Sequence, residues 1–147
     1  MKSDEVPEIF ANIPVPEYVP TPPLGGAPVS ERKIALVSTA GLMHRGETPF
    51  SMESRDYRVI DSEDDRDLVM SHVSVNFDRT GFVRDYNVVF PIDRLREKAL
   101  SGQIGELSRY HYSFMGAVSP ADLQPAAESL SGLLRAEKVD GLLLVPI

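Results

Sequence analysis

The chain has 147 residues, of which 42% are hydrophobic and 25% charged, and its formal net charge is −7. This length and composition are typical of a globular protein with one hydrophobic core. The negative charge argues against nucleic acid or an anionic membrane as a partner, because phosphate contacts require clustered Lys and Arg. The sequence contains no cysteine, which excludes disulfides, thiolate metal ligands and a thiol nucleophile within these residues.

The sequence also lacks the signals of a membrane or exported protein. No run approaches the roughly 18 apolar residues of a membrane span, and the N-terminal MKSDEVPEIF is acidic where a signal peptide would be basic and then apolar. We therefore expect a cytoplasmic protein.

Seven of the twelve prolines lie in the first thirty residues, where their fixed φ and missing N–H disfavour both a regular helix and a central strand. We predict that residues 1–32 form an extended Pro-rich arm and that residues 33–147 form a single α/β domain. The arm carries apolar side chains, so it either wraps its own domain or clasps a partner subunit.

From Lys33 onward the pattern predicts strands alternating with helices. The predicted strands, in chain order, are KIALVST, YRVI, LVMSHVSV, NVVF, RYHYSFMG and GLLLVPI, and the predicted helices are IDRLREKALSGQIGEL, which Gly102 ends, and SPADLQPAAESLSGLLRAEKVDG. AGLMHRGETPF and the acidic DSEDDRD are predicted loops. The fold class that follows is α/β, with a largely parallel sheet flanked by helices.

The last strand, GLLLVPI, is a continuous apolar run of the kind that a central parallel strand shows when both of its faces are buried. In open α/β sheets the chemistry lies beyond the carboxyl ends of the strands, yet this strand ends at Ile147. We therefore expect the sheet to be completed by a partner chain or by symmetry.

Three histidines, His44, His72 and His111, fall in or just after predicted strands. If they converge at one edge of the sheet, they offer either an acid–base pair or a metal site, because neutral imidazole titrates near pH 7 and binds metals. Their spacing matches no known metal signature. Each histidine alone is equally consistent with a hydrogen-bonded structural role.

Other polar residues are candidates for substrate binding. Three arginines can grip a carboxylate in a bidentate way: Arg45, Arg79 and Arg84. Asn76 and Asp78 lie in a turn-like loop, where their side chains can either contact substrate or satisfy local backbone groups. No phosphate-cradling glycine motif and no nucleophile elbow is present.

Several motifs occur together in an order that resembles the glycine/sarcosine/betaine/D-proline reductase component B (selenoprotein B) family. They are IALVSTAGLMHRGETPF, YRVI, SHVSVNFDRTGFVRDYNVVFPIDRLRE with GQIGEL, HYSFMGA and the final DGLLLVPI. The resemblance covers about Lys33 to Ile147. The matching positions are His44, Arg45, Ser71, His72, Asn76, Asp78, Arg79, His111 and the turn that begins at Ser113.

The resemblance implies a reductive system that cleaves a C–N bond in an amino acid or related amine, with a Sec or Cys attacking carbon. In such proteins the redox-active residue follows the strand that here is GLLLVPI, and this sequence departs from the pattern because it has no cysteine. Together with this departure, the resemblance implies that the chain is one subunit of a split, hetero-oligomeric reductase. A partner chain supplies the Cys or Sec, and no cofactor is expected in this chain.

In that reading a histidine among His72, His44 and His111 protonates the leaving amine. Arg79 holds the substrate carboxylate, Asn76 and Asp78 orient the loop, and Ser71 to Arg79 forms the substrate pocket. Arg45, Ser71 and Ser113 are further binding candidates. Two alternatives stay open: a non-catalytic homologue that binds a small molecule or scaffolds a partner, and a subunit of a histidine-based metal enzyme.

Overall fold

The structure, a computed structural model, describes residues 17, 19–22, 25–74 and 78–147. Within them the chain is α/β, as the sequence predicts. The strands are β1 (Lys33–Ser38), β2 (Leu42–His44), β3 (Arg58–Asp61), β4 (Leu68–Met70), β5 (Glu106–Leu107), β6 (Tyr110–Ser113) and β7 (Gly141–Val145). The helices are α1 (Thr80–Arg84), α2 (Ile92–Leu100) and α3 (Pro120–Ala136).

The main sheet is built around β1. Strand β7 pairs in parallel along one side of β1, and β5 and β6 pair in parallel along the other. Strand β3 then pairs with β6 in the antiparallel direction, and β2 and β4 form a separate antiparallel pair. The prediction of a largely parallel sheet is therefore wrong: the sheet is mixed. Burial alternation shows which residues form a strand, but it carries no information on strand direction.

Strand β7 is at an edge of the sheet and not in its centre, which corrects the prediction of burial on both faces. Its pairing in the described part of the chain is with β1 alone. Leu142, Leu143 and Leu144 are 46%, 37% and 65% exposed. Because successive side chains in a strand point to opposite faces, apolar surface is open on both faces of β7.

Two local predictions also need correction, and one is confirmed. The predicted loop AGLMHRGETPF contains β2. The helix ends near Gly102 as predicted: α2 stops at Leu100, Gly102 has a φ of +71°, and β5 follows. The predicted strand NVVF is replaced by a 3-10 turn at Tyr86–Val88. Asp85 starts this turn by accepting a hydrogen bond from the backbone N–H of Asn87 at 2.9 Å, and that local contact competes with sheet pairing.

The core occupies both faces of the sheet because the side chains of β1 alternate between them. On one face, Ile34 and Leu36 pack with residues from β2, β3 and α2. On the other face, Ala35 packs against the buried stripe of α3, made of Ala126, Leu130 and Leu134. The two helices predicted by periodicity thus each cover one face.

Most of the predicted arm, residues 1–32, lies outside the described residues, and its conformation and the boundary at residue 32 stay predictions. The structure contains no helix, within the residues it describes, that is long and apolar enough to cross a membrane.

Candidate active site

A cleft of about 420 Å³ lies beside the first residues of β6, between the acidic segment that follows β3 and the start of α2. Two of the three histidines, His44 and His111, line this cleft. Its other lining residues are Arg45, Ile60, Asp61, Ser62, Asp64, Asp65, Arg66, Asp67, Leu68, Tyr86, Phe90, Ile92 and Arg96. His72 does not line the cleft. Of the three candidate histidines, the cleft therefore brings together only His44 and His111.

His111 is placed by a bulge between β5 and β6. Ile34 pairs with Leu107, and Val37 pairs with Tyr112. Three steps along β1 therefore correspond to five steps along the segment from β5 to β6. The two extra residues of that segment bulge out of the ladder. The gap leaves the backbone N–H of Leu36 without a ladder partner, and it donates instead to His111 Nδ1 at 3.1 Å. Bulges next to functional sites commonly redirect a side chain in this way.

Burial sets the charge of His111. The side chain is fully buried, and its burial, with a smaller contribution from the positive charge of Arg96, lowers its pKa to about 4. The imidazole ring is therefore neutral at pH 7. It packs edge-on against Phe90, with ring centroids 6.0 Å apart.

His44 ends β2 and is almost completely buried. Its Nδ1 lies 3.3 Å from the carbonyl oxygen of Arg66, and its Nε2 lies 3.9 Å from Asp64 Oδ2. Hydrogen bonds from the Arg66 guanidinium lower the pKa of Asp64 to about 2. Asp64 is therefore ionised across the physiological range and places a negative charge beside the His44 ring.

Charged side chains around the mouth of the cleft are arranged in ion pairs. Arg45 Nε contacts Asp67 Oδ2 at 3.1 Å, with both side chains well exposed. Arg96 Nη1 contacts Asp93 Oδ1 at 2.7 Å, and its Nη2 donates to the carbonyl oxygen of Ser62 at 3.1 Å. Exposed pairs such as Arg45–Asp67 contribute little to stability. A ligand carboxylate can therefore replace Asp67 as the partner of Arg45 at a small cost in stability.

The predicted pocket from Ser71 to Arg79 is a tightly hydrogen-bonded segment in its described residues. Ser71 Oγ accepts from the backbone N–H of Phe50 at 2.9 Å, and His72 Nδ1 accepts from that of Ser74 at 3.1 Å. Arg79 Nη2 donates to the carbonyl oxygens of His72 and Ser74. Burial, with the nearby Arg79, lowers the pKa of His72. These contacts hold the segment together.

The remaining predicted residues lie apart from the cleft or outside the described residues. Ser113 is buried in β6, where its Oγ accepts from the backbone N–H of Leu42 at 2.7 Å. Asp78 accepts from the backbone N–H of Thr80 at 2.8 Å at the start of α1. Arg84 is exposed in the last turn of α1. Asn76 lies outside the described residues.

Comparison with known proteins identifies the family. Residues 8–146 match the family model described as glycine/sarcosine/betaine reductase selenoprotein B. The chain belongs to this family. The resemblance drawn from its motifs is thereby confirmed. No solved structure was found to match the chain.

Curated relatives of this selenoprotein B family member include subunits of three reductases. A glycine reductase complex component B subunit gamma from Carboxydothermus hydrogenoformans is 27% identical over 140 residues, covering 90% of this chain and 32% of the relative. The D-proline reductase subunit gamma from Acetoanaerobium sticklandii is 30% identical over 136 residues, covering 86% of this chain and 55% of the relative. A sarcosine reductase complex component B subunit beta from Peptoclostridium acidaminophilum is 29% identical, with coverages of 89% and 32%. The chain thus spans only one third to about half of these relatives.

Three side chains that line the cleft of this selenoprotein B family member were missed by the sequence analysis: Asp64, Arg66 and Arg96. The acidic run that contains Asp64 reads as a solvated loop, because charge density alone does not distinguish a solvated loop from the wall of a cleft. The sequence contains one sign that this run is more than a solvated loop, because an arginine, Arg66, lies between Asp65 and Asp67.

The metal-site alternative finds no support in residues 25–74 and 78–147 of this family member. No cluster of three or more His, Asp or Glu side chains there is placed to hold a metal ion. His111 is also poorly suited as a ligand, because its Nδ1 already accepts from Leu36 and the neutral ring must then carry its proton on Nε2.

Proposed function

We propose that this chain is a subunit of a reductase that cleaves a C–N bond in an amino acid or related amine. It contributes the substrate cleft and the acid–base groups, while a partner chain contributes the redox-active Cys or Sec. The partner's thiolate or selenolate attacks the substrate carbon and forms a C–S or C–Se bond. The C–N bond breaks, and the leaving amine takes its electron pair and a proton. A dithiol then supplies two electrons and is oxidised to a disulfide, the C–S or C–Se bond breaks, the substrate carbon takes a proton, and the thiolate or selenolate is restored.

The proposed chemistry needs a nucleophile from outside these residues. A thiolate or selenolate is the nucleophile in this chemistry, and none of these 147 residues is a cysteine. Within the proposal we assign that residue to a partner chain. The relatives named as subunits of glycine and sarcosine reductase complexes support the assignment to a multi-component enzyme.

The observation that carries the proposal is the open apolar edge of β7. Three consecutive leucines are exposed there, although their sequence pattern is that of a buried strand. An exposed hydrophobic edge strand is a template for pairing with another polypeptide. We place the partner on this edge, where Thr39 Oγ1 already accepts a hydrogen bond from the backbone N–H of Ile147 at 2.8 Å.

The cleft is the proposed substrate site. Its two buried histidines each have a ring nitrogen with no hydrogen-bond partner among the described residues, and these nitrogens are the proposed contacts with the substrate. Arg45 is the proposed carboxylate contact, because its ion pair with Asp67 is exposed and easily exchanged. In this proposal His72, Ser71 and Arg79 shape the neighbouring segment, and Asn76 and Asp78 orient its loop.

The test is coexpression with the product of the adjacent gene that carries the Cys or Sec segment. We expect a stable heteromer, and we expect Leu144→Lys to abolish it, because a charge on the exposed edge blocks apolar pairing. Leu100→Lys is the matched control, since Leu100 is 90% exposed on α2. Both variants should fold like the unmodified chain, because exposed substitutions change stability by less than about 0.5 kcal/mol.

Size-exclusion chromatography with multi-angle light scattering measures the outcome. Failure to form a heteromer, or equal assembly of the two leucine variants, would contradict the proposal.

A further inference from the structure

Two buried ring nitrogens in the cleft carry no hydrogen bond from any described residue: His44 Nε2 and His111 Nε2. Buried polar atoms in folded proteins nearly always have a hydrogen-bond partner, so an exception calls for an explanation. Here both exceptions belong to side chains that line the same cleft. A bound ligand that satisfies both nitrogens explains them together.

The contacts of the other ring nitrogen fix where each histidine carries its proton. The backbone N–H of Leu36 can only donate, so His111 Nδ1 is an unprotonated acceptor and the proton of the neutral ring is on Nε2. The carbonyl oxygen of Arg66 can only accept, so His44 Nδ1 carries a proton. In the neutral ring, His44 Nε2 is then an acceptor. The two rings therefore present opposite hydrogen-bonding groups to the cleft.

We propose that His44 and His111 bind one ligand with fixed and opposite roles, His44 Nε2 exchanging a proton with a basic nitrogen of the ligand and His111 Nε2–H donating to a ligand oxygen. The ligand class is a small molecule that carries both a basic nitrogen and a carboxylate or carbonyl oxygen. The assignment deepens the proposed function and rests on it for the choice of ligand.

The surroundings make the two roles unequal. His44 Nε2 lies 3.9 Å from Oδ2 of ionised Asp64, so a positively charged ligand nitrogen that reaches Nε2 also meets a negative charge. Protonation of His111 would place a second proton on Nδ1 and break the hydrogen bond from Leu36, inside a fully buried site. His111 therefore remains a neutral donor, and the carboxylate beside His44 directs the basic nitrogen to that ring.

The order of events in C–N cleavage follows from these roles. His111 holds the carboxylate oxygen of the substrate and so fixes its position in the cleft. His44 gives a proton from Nε2 to the amine as the C–N bond breaks and becomes neutral. It is recharged by a proton from solvent before the next turnover.

Nuclear magnetic resonance of the ¹⁵N-labelled full chain tests the assignment directly, with long-range ¹H–¹⁵N correlations that report which ring nitrogens are protonated. At pH 7 we expect His111 to carry its proton on Nε2 only and His44 to carry one on Nδ1. Addition of glycine should shift the ring signals of His44 and His111 and leave those of His72 unchanged.

Two variants separate ligand contact from folding. His111→Asn keeps an acceptor near Leu36 and His44→Asn keeps a donor near Arg66, but each lacks the group at the Nε2 position. We expect both to fold and to bind glycine at least about tenfold more weakly, a loss of roughly 1.4 kcal/mol.

A proton on His111 Nδ1, a deprotonated His44 Nδ1, or ring signals that glycine does not move would overturn the inference. Its failure is distinguishable from failure of the proposed function. The tautomers are measured on this chain without the partner, whereas the heteromer is measured by assembly. Correct tautomers and glycine shifts without a heteromer would refute the split enzyme alone.

Discussion

Substitution of His111 by Ala is expected to destabilise the chain by about 3–5 kcal/mol, the range for removal of a large buried ring. Two effects act together. The fully buried N–H of Leu36 loses its acceptor, which costs about 1–3 kcal/mol, and the space left beside Phe90 forfeits packing contacts. Equilibrium unfolding in urea, extrapolated to water, measures the difference.

His111→Asn is the matched variant, because the Asn carbonyl oxygen occupies nearly the place of Nδ1 and can still accept from Leu36. We expect it to lose only about 1–2 kcal/mol, since the acceptor remains and part of the ring volume is filled. If His111→Ala and His111→Asn were equally stable, the hydrogen bond from Leu36 would not be supporting the bulge between β5 and β6.

Substitution of Gly41 by Ala is expected to cost about 2–4 kcal/mol. Gly41 has a φ of +63°, which is unfavourable for a residue with a Cβ, and a Cβ here would lie 2.9 Å from the Cα of His72. The neighbour is backbone and cannot rotate away, so the added atom forces the start of β2 and the segment after β4 apart. The segment is held close because the N–H of Ser71 donates to the carbonyl oxygen of Gly41 at 2.8 Å.

Gly46→Ala isolates the contribution of the close contact. Gly46 also has a positive φ, of +95°, but nothing lies within 4 Å of its added Cβ. Thermal and urea unfolding of both variants should show a clearly smaller loss for Gly46→Ala, of about 1–2 kcal/mol from backbone strain alone. Equal losses would mean that the contact with His72 contributes nothing.

Much of the fold is predictable because burial on one face leaves a period in the sequence. The apolar positions of α2 and α3 recur at helical spacing, and the structure buries Ile92 and Leu95 of α2. In α3, Leu130 and Leu134 are buried, while Leu133, which lies at helical spacing with them, is 44% exposed. The short strand β1 is predicted from its β-branched and apolar content.

Strand direction and position in the sheet depend on tertiary pairing, which the local pattern does not contain. The YRVI strand is predicted, yet only its pairing with β6, in which Ile60 lies opposite His111, shows that it is antiparallel. The apolar run of β7 predicts full burial, and the structure exposes it. The apolar surface exposed on both faces of this edge strand is the observation on which the proposed partner rests.

The candidate site is predicted in part. The strand contexts of the three histidines raise the possibility that they converge at one edge of the sheet, and in the structure His44 and His111 line one cleft. The bulge that redirects His111 follows from two extra residues between β5 and β6, which no local motif marks. His72 shares the same kind of strand context, but the close approach of Gly41 places it in a separate hydrogen-bonded segment. The roles of all these residues in substrate binding and catalysis stay predictions.

The most direct test of the central claim, that the cleft of His44 and His111 is the reaction site, is the turnover number of the assembled heteromer carrying one Asn substitution at a time. We expect His44→Asn to lower turnover by at least about 100-fold, the usual contribution of a positioned acid–base group. We expect His111→Asn to lower it by at least about tenfold, because the substrate loses a hydrogen bond that positions it. His72→Asn keeps an acceptor for the N–H of Ser74 and should stay within a few fold of the unmodified enzyme. Full turnover in the His44 and His111 variants, or its loss in the His72 variant alone, would contradict the account.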